Sequence, residues 1–482
     1  MLHIRSEAVQ TAVRSFQRRA ERVLDLDKLH EIYVDSGVLG ELAVHSNQVI
    51  HGRRGVGKTH LLHFFRQSLL RASPSTLFQI HDCQRLGSGY ASDDSDARSV
   101  AISVFTQLLN DIATQAFDDL DRINARDSSA RVRDPSEAVL AFQDVVTQGA
   151  SASGKFNYRM LGDTLDAIRV AAGADFLVFG LDEFISIRRD AQPLVAEYLK
   201  RAFFTKPRLS FKLVAVTYLS RTSTIADGNI VGLEPGADTF SDVDMDKYFV
   251  WEEDDERAER FFGQVLYNHL AADLSLPLGA PPDLKRSQIV QTFFTQEKAF
   301  SEVCRAAEGN CRDLLNVFRS AYTAFLKDGA ADRMGVNHVK KGAEEWFRTE
   351  KILSISQEPH LEKFLNYLIQ HVIRDRRTKT MMIHYSDVNH PVLVRLFTSR
   401  LLHPLRTVWK HPDKPGEPYH LVTMDYGCYV ALKNTKSAPE ERLFFTLDDV
   451  SFDDLVPLDD RRSIRRVVVD REDLDRFLPI IL

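Results

Sequence analysis

Gly52-Arg53-Arg54-Gly55-Val56-Gly57-Lys58-Thr59 is a complete GxxxxGK[ST] phosphate loop, set directly after the apolar pair Val49-Ile50 and directly before a helical stretch. Each residue type in it has a task. The glycines let the backbone turn tightly and aim its N–H groups at phosphate, Lys58 reaches the β and γ phosphates, and the Thr59 hydroxyl ligates Mg²⁺. His60 follows in the first helical turn, so residues 52 to 60 form the candidate binding segment for a nucleoside triphosphate.

Working outward, Leu61, Leu62, Phe64, Phe65, Leu69 and Leu70 recur at helical spacing, and Thr76 to His81 reads as a strand. Short apolar strands then alternate with longer helices, which predicts a parallel sheet with helices on both faces, a three-layer αβα domain. The third strand, Phe176 to Leu181, ends in Asp182-Glu183; the fourth, Phe211 to Val216, ends in Thr217. A buried strand that finishes in two carboxylates is hard to explain by packing. In nucleotide hydrolysis Asp182 would orient Mg²⁺ or its water while Glu183 polarises the attacking water. Open sheets of this kind bind ligands at the carboxyl ends of their strands. Between Gly87 and Gly154 lie helical segments, with the polar stretches Ser92 to Asp96 and Asp127 to Ser129 expected as loops or a surface insertion.

The remaining chain divides by pattern. Residues 1–46 read as an N-terminal helical extension, with helix expected over 7–31 and again from Leu39 to His45, 47–253 as the phosphate-loop domain, and 254–350 as an all-helical domain. Over 351–435 a helix around Leu361 to Val372, an extended piece Lys379 to Tyr385, a helix opened by Asn389-His390-Pro391 and a hairpin (arms Arg406 to His411 and Tyr419 to Val430, tip Pro412 to Pro418) predict a winged helix; 436–482 is left as a C-terminal tail.

Composition narrows the class. With 482 residues the chain exceeds what one hydrophobic core usually supports, so several domains are expected. A formal net charge of -6 argues against coating nucleic acid by bulk charge, so any such contact needs a local basic surface. The four cysteines, Cys83, Cys304, Cys311 and Cys428, show no zinc spacing and read as buried small hydrophobes in a reducing compartment. Neither a signal core nor a membrane-length apolar run is visible, and a cytoplasmic protein is expected.

The loop, the LDE strand end, the polar residue ending the next strand and the helical domain together resemble an AAA+ ATPase. The resemblance implies ATP and Mg²⁺ as cofactors, with Thr59 and Asp182 on the metal, Lys58, Asp182 and Glu183 in the chemistry and Thr217 as the sensor 1 residue. It also implies a sensor 2 arginine at a helix start in the lid, and Gly309-Asn310-Cys311-Arg312 matches that GNxR pattern. The plain alternative is a helix start that Asn310 caps, with Arg312 solvated. Arg221 is the one arginine between Thr217 and Trp251; it fits an arginine finger acting on a neighbouring subunit or within its own, and equally an exposed loop arginine.

An AAA+ module followed by a winged helix is similar to the origin-recognition and replication-initiator group, and to the signal-transducing STAND ATPases. The first likeness implies an oligomerising switch that acts on DNA through the winged helix. The second implies a sensor, for example in bacterial antiphage defence, with a protein partner or effector. The region 359–435 holds Lys363, Arg374, Arg376, Arg377, Lys379, Arg395, Arg400, Arg406, Lys410, Lys414 and Lys433, a local basic excess, with Lys410 and Lys414 flanking the hairpin tip. The apolar Val392, Leu393, Leu396 and Phe397 commit the second helix chiefly to a core. Arg461, Arg462, Arg465 and Arg466 lie beside Asp459, Asp460 and Asp470 and read as a self-paired face.

Overall fold

The computed structural model describes residues 3–16, 26–86, 95–124, 135–152, 154–240, 242–248, 254–410, 418–432 and 467–478. They fall into two bodies. Gly37–Gly52 with Lys58–Asp244 make a sheet body, and Met1–Ser36, Arg53–Gly57 and Met245–Leu482 make a helical body. The chain opens in the helical body with α1 (Glu7–Arg14), capped by the Ser6 hydroxyl accepting from Val9 N–H, and α2 (Leu26–Ile32). Where a helix is expected from Leu39 to His45, only a single 3₁₀ turn, Leu39–Glu41, forms.

The sheet body runs β1 (Gln48–His51), α3 (Lys58–Ala72), β2 (Thr76–Asp82), α4 (Ala97–Asn124), α5 (Pro135–Ser151), α6 (Tyr158–Ala171), β3 (Phe176–Asp182), α7 (Gln192–Phe203), β4 (Leu209–Val214), β5 (Ser223–Ala226), β6 (Asn229–Gly232) and β7 (Val243–Asp244). Its main sheet has the order β2-β3-β4-β1-β7, and every pairing in it is parallel. Such strands are covered on both faces, which is why they read as apolar runs: all six residues of β4 and six of the seven in β3 are buried. Phe211 of β4 stacks on Phe179 of β3 at 4.8 Å between centroids and on Phe203 of α7 at 5.5 Å. On the same core lie Phe105 of α4 and Phe142 of α5, so the helices between β2 and β3 build the domain. Most of the polar stretches expected there as loops fall outside the described residues. Gly180 has a packing reason, since a Cβ would meet Leu62 of α3 at 2.8 Å.

One lysine is buried in this sheet. Lys212 of β4 donates to the carbonyl of Ala43 at 2.5 Å, to Gln48 Oε1 at 2.9 Å and to the carbonyl of Ser46, tying down the segment that enters β1. Burial pushes its ammonium down to about 7.

The helical body continues with α8 (Asp255–Leu274), α9 (Pro282–Phe293), α10 (Glu297–Ala307), α11 (Cys311–Lys327) and α12 (Val336–Trp346), then α13 (Pro359–Leu368), β8 (Thr380–His384), α14 (Pro391–Thr398), β9 (Leu402–Lys410), β10 (Pro418–Met424) and β11 (Val468–Val469). Two π-helical stretches, Phe347–Ile352 and Ile369–Asp375, extend α12 and α13. The smaller sheet has the order β11-β8-β10-β9. Its hairpin begins earlier than the sequence suggests, with Leu402 opposite Met424, and Asp425 ends β10 by accepting from Gly427 N–H at 2.9 Å. Val468 and Val469 pair in parallel with Met382 and Ile383, so part of the segment read as a tail supplies an edge strand. The hairpin tip with Lys414, and also Lys433 and the 461–466 cluster, lie outside the described residues. Among the described residues no helix is long and apolar enough to cross a membrane.

Candidate nucleotide site

The sheet body contributes the ends of β1, β3 and β4. Gly52 closes the strand side of the loop, and its carbonyl accepts from Lys58 Nζ at 2.7 Å; Lys58, Thr59 and His60 form the first turn of α3. Asp182, the last residue of β3, is 5% exposed. Burial pushes its carboxyl up to about 6, and the Thr59 hydroxyl, the Glu183 N–H at 2.9 Å and the Lys58 charge oppose that rise. A buried carboxylate beside the phosphate-loop hydroxyl is a hard-oxygen donor pair suited to Mg²⁺.

The backbone turns sharply after both chemistry-bearing strands. Glu183 (φ 51) and Tyr218 (φ 63) occupy the left-handed region, which costs a residue other than glycine of order 1–3 kcal/mol. The half-buried Glu183 and Thr217 sit at these two turns. Arg221 is exposed: its N–H donates to Gln192 Oε1 at 2.7 Å and its Nη2 to Thr224 Oγ1 at 3.2 Å. Arg189, which sequence reasoning passed over, is its neighbour in charge, since burial first and then Arg221 push the Arg189 guanidinium down.

Residues Arg53 to Gly57 belong to the helical body. Gly55 and Gly57 have φ of 92 and 107, and a Cβ on Gly55 would lie 2.6 Å from Asn310 Oδ1 and 2.8 Å from Arg312 Cβ. The GNxR motif touches the loop through its backbone. Asn310 accepts from the N–H groups of Arg312 and Asp313 at 3.0 and 3.2 Å and donates from Nδ2 to the Arg54 carbonyl at 2.7 Å. Arg312 N–H also donates to the Gly55 carbonyl at 3.1 Å. The cap and the loop contact are thus one arrangement, and Arg54 and Val56 flank it, the first exposed and the second buried.

Arg53 differs from its loop neighbours: it is 7% exposed and its guanidinium is committed inside the body. It donates to Asp246 Oδ1 at 2.9 Å, to the Glu308 carbonyl at 2.8 Å and to His403 Nδ1 at 2.6 Å, while its backbone N–H meets both Asp246 oxygens. A guanidinium only donates, so His403 accepts on Nδ1 and donates from Nε2 to Asp425 Oδ2 at 3.0 Å. Burial, with Arg53 adding to it, pushes the imidazole down to about 4 despite Asp425. Asp425 in turn pairs with Lys351, Lys351 with Asp313 at 2.9 Å, and Asp313 with Trp346 Nε1 at 3.1 Å and Arg400 at 3.5 Å. The cysteines are free; burial pushes the Cys311 thiol up to about 12 and Cys304 and Cys428 well above their usual value.

The strand order, with the loop strand β1 beside β4 and the acid-ended β3 one strand further on, is now joined to a loop, a strand-end acid and a capped GNxR helix. The fold is the parallel α/β arrangement that the AAA+ resemblance implies. Among solved structures, the Aeropyrum pernix Orc1 protein in complex with DNA is similar over 86% of this chain and 93% of that one, at 13% identity and a TM-score of 0.35. The Thermotoga maritima RuvB Holliday junction branch migration motor is similar over 88% and 98%, at 13% identity and a TM-score of 0.33. Neither a protein-family model nor a curated protein matches the sequence. Likenesses this distant transfer no residue roles, so the roles below rest on the chain's own geometry.

Proposed function

We propose that the chain is a Mg²⁺-dependent ATPase that works as a conformational switch. The observation that carries this is the buried Asp182 at the end of β3, its carboxyl pushed up by burial and opposed by the phosphate-loop residues Thr59 and Lys58 beside it. Thr59 and Asp182 would hold Mg²⁺, which supplies charge neutralisation for the phosphate oxygens. Lys58 binds phosphate, and Glu183, lifted out of the strand by its left-handed backbone, orients water for in-line attack. Thr217 and Arg312 serve as nucleotide-sensing residues and Arg221 as a finger.

The output we infer is a change in self-association together with DNA binding by the 351–435 winged helix. Lys58→Ala is expected to abolish ATP binding at the phosphate loop and with it turnover, and Glu183→Gln to retain binding there while turnover falls by about 10²–10⁴. Equal hydrolysis by both variants and the wild type would sink the assignment. A sensor of the STAND kind, with a protein partner as trigger, is favoured by one observation: the loop residue Arg53 is held by His403, 350 positions away. Oligomerisation that needs a partner and ignores DNA would select it.

A further inference from the structure

The helical body contains a cleft of about 710 Å³ that the proposed ATPase chemistry does not explain. Five guanidiniums line it, those of Arg14, Arg54, Arg312, Arg319 and Arg400, against a single carboxylate, Glu350. On a chain of net charge -6 this is a local concentration of like charge, which is costly unless an anion joins it. Arg312, Asn316 and Arg319 come from one face of α11, at helical spacing. Arg400 is partly engaged, paired with Asp313 at 3.5 Å and lying over the Trp346 ring at 5.6 Å. Arg14, Arg54 and Arg319 have no ion pair among the described residues.

A second feature points to the ligand's chemistry. Asn316 is 1% exposed, and its Nδ2 donates to the Arg312 carbonyl at 2.7 Å. Its Oδ1 is buried and has no hydrogen-bond partner among the described residues. The amide orientation is fixed by the bond it makes, since a flip would set two oxygens against each other. The cleft therefore offers cations for phosphate and one buried acceptor for a hydroxyl or amine, within a volume typical of small-ligand sites.

We propose that this cleft binds a small organic polyphosphate of nucleotide size, its phosphates on the arginines and a hydroxyl or amine on Asn316 Oδ1. The cleft shares Arg54 and Arg312 with the residues of the proposed ATPase but not Lys58 and Thr59, which belong to the sheet body, and Arg14, Arg319 and Asn316 have no part in that reading, so the proposal does not rest on it. The test is calorimetric titration of the Lys58→Ala protein with ATP, with inorganic tripolyphosphate and with a single-stranded thymidine oligonucleotide. ATP and tripolyphosphate are expected to compete for one site, and Arg14→Glu and Arg319→Glu each to weaken both by about tenfold or more. Asn316→Leu is expected to weaken ATP and spare tripolyphosphate, which carries no donor. No binding to Lys58→Ala, binding unmoved by both arginine variants, or an oligonucleotide that binds tighter than ATP would each overturn the proposal. Loss of turnover in Glu183→Gln bears on the ATPase reading alone, so the two fail separately.

Discussion

Two buried aspartates stand at the ends of elements, one in each body, and their surroundings treat them in opposite ways. At Asp182, the end of β3, burial outweighs Thr59, the Glu183 N–H and Lys58, and the carboxyl is pushed up to about 6. At Asp313, in the first turn of α11, burial also raises the carboxyl, but Arg400 and Lys351 overcome it and hold the group well below the usual carboxylate range. Lys351 is itself held charged between Asp313 and Asp425 against its own desolvation. The contrast separates two uses of a buried charge. One is saturated by cations of its own chain and serves architecture; the other stays under-compensated, at a strand end where ligands bind.

Removing a cation from the saturated region should have the largest effect. Lys351→Met leaves Asp313 and Asp425 facing each other in a dry interior, and truncating one partner of a buried pair costs about 3–5 kcal/mol. Urea unfolding at pH 7 measures it. A loss below about 1 kcal/mol would show that the network is not what holds Asp313 ionised, and the comparison would break on that side.

At the other pole the sign reverses. Because the folded-state carboxyl of Asp182 titrates near 6 rather than 3.8, its ionised form burdens the fold at pH 7. Asp182→Asn should then stabilise the protein by about 3 kcal/mol at pH 7 while abolishing turnover. The sign follows from proton uptake: between 3.8 and 6 the folded wild type holds more protons than the unfolded chain, so its stability rises as pH falls through that window. The advantage of the variant should shrink over the same window and vanish below it. Unfolding curves at pH 7, 5 and 4 for both proteins check this. A variant less stable than wild type at pH 7 would mean that Asp182 is structural after all.

The same contrast explains what was legible in the sequence. The sheet-body chemistry is written locally: Lys58 and Thr59 share one turn, and Asp182 and Glu183 are adjacent at the end of an apolar run, so residue order alone finds them. The parallel strands β1 to β4 were legible for the same reason, since burial on both faces leaves uninterrupted apolar runs. The saturated network is written at long range. Arg53 meets Asp246 across 193 positions and His403 across 350, and Lys351 meets Asp425 across 74. Nothing in the neighbourhood of His403 or Asp425 marks either residue, so Arg53 looked like an ordinary loop position. β11 escaped for a related reason, since two valines are too short a run to announce a strand and their partner β8 lies far upstream.

The smallest expected effect falls where the two patterns meet, at Asn310. Its Oδ1 caps α11 and its Nδ2 bonds the Arg54 carbonyl, so the local and the long-range roles sit on opposite ends of one amide. Asn310→Ser keeps a capping oxygen and deletes the donor to Arg54, and should cost about 1 kcal/mol, the net worth of one hydrogen bond. Asn310→Ala removes both roles and should cost about 1 kcal/mol more. If the bridge to Arg54 serves the loop and not only the helix, the serine variant should also change the affinity for ATP, while a cap-only role leaves that affinity at the wild-type value in both. Comparing urea midpoints with ATP titrations of the two variants thus separates a contact that holds the body together from one that shapes the phosphate loop, the same division that Asp313 and Asp182 draw at larger scale.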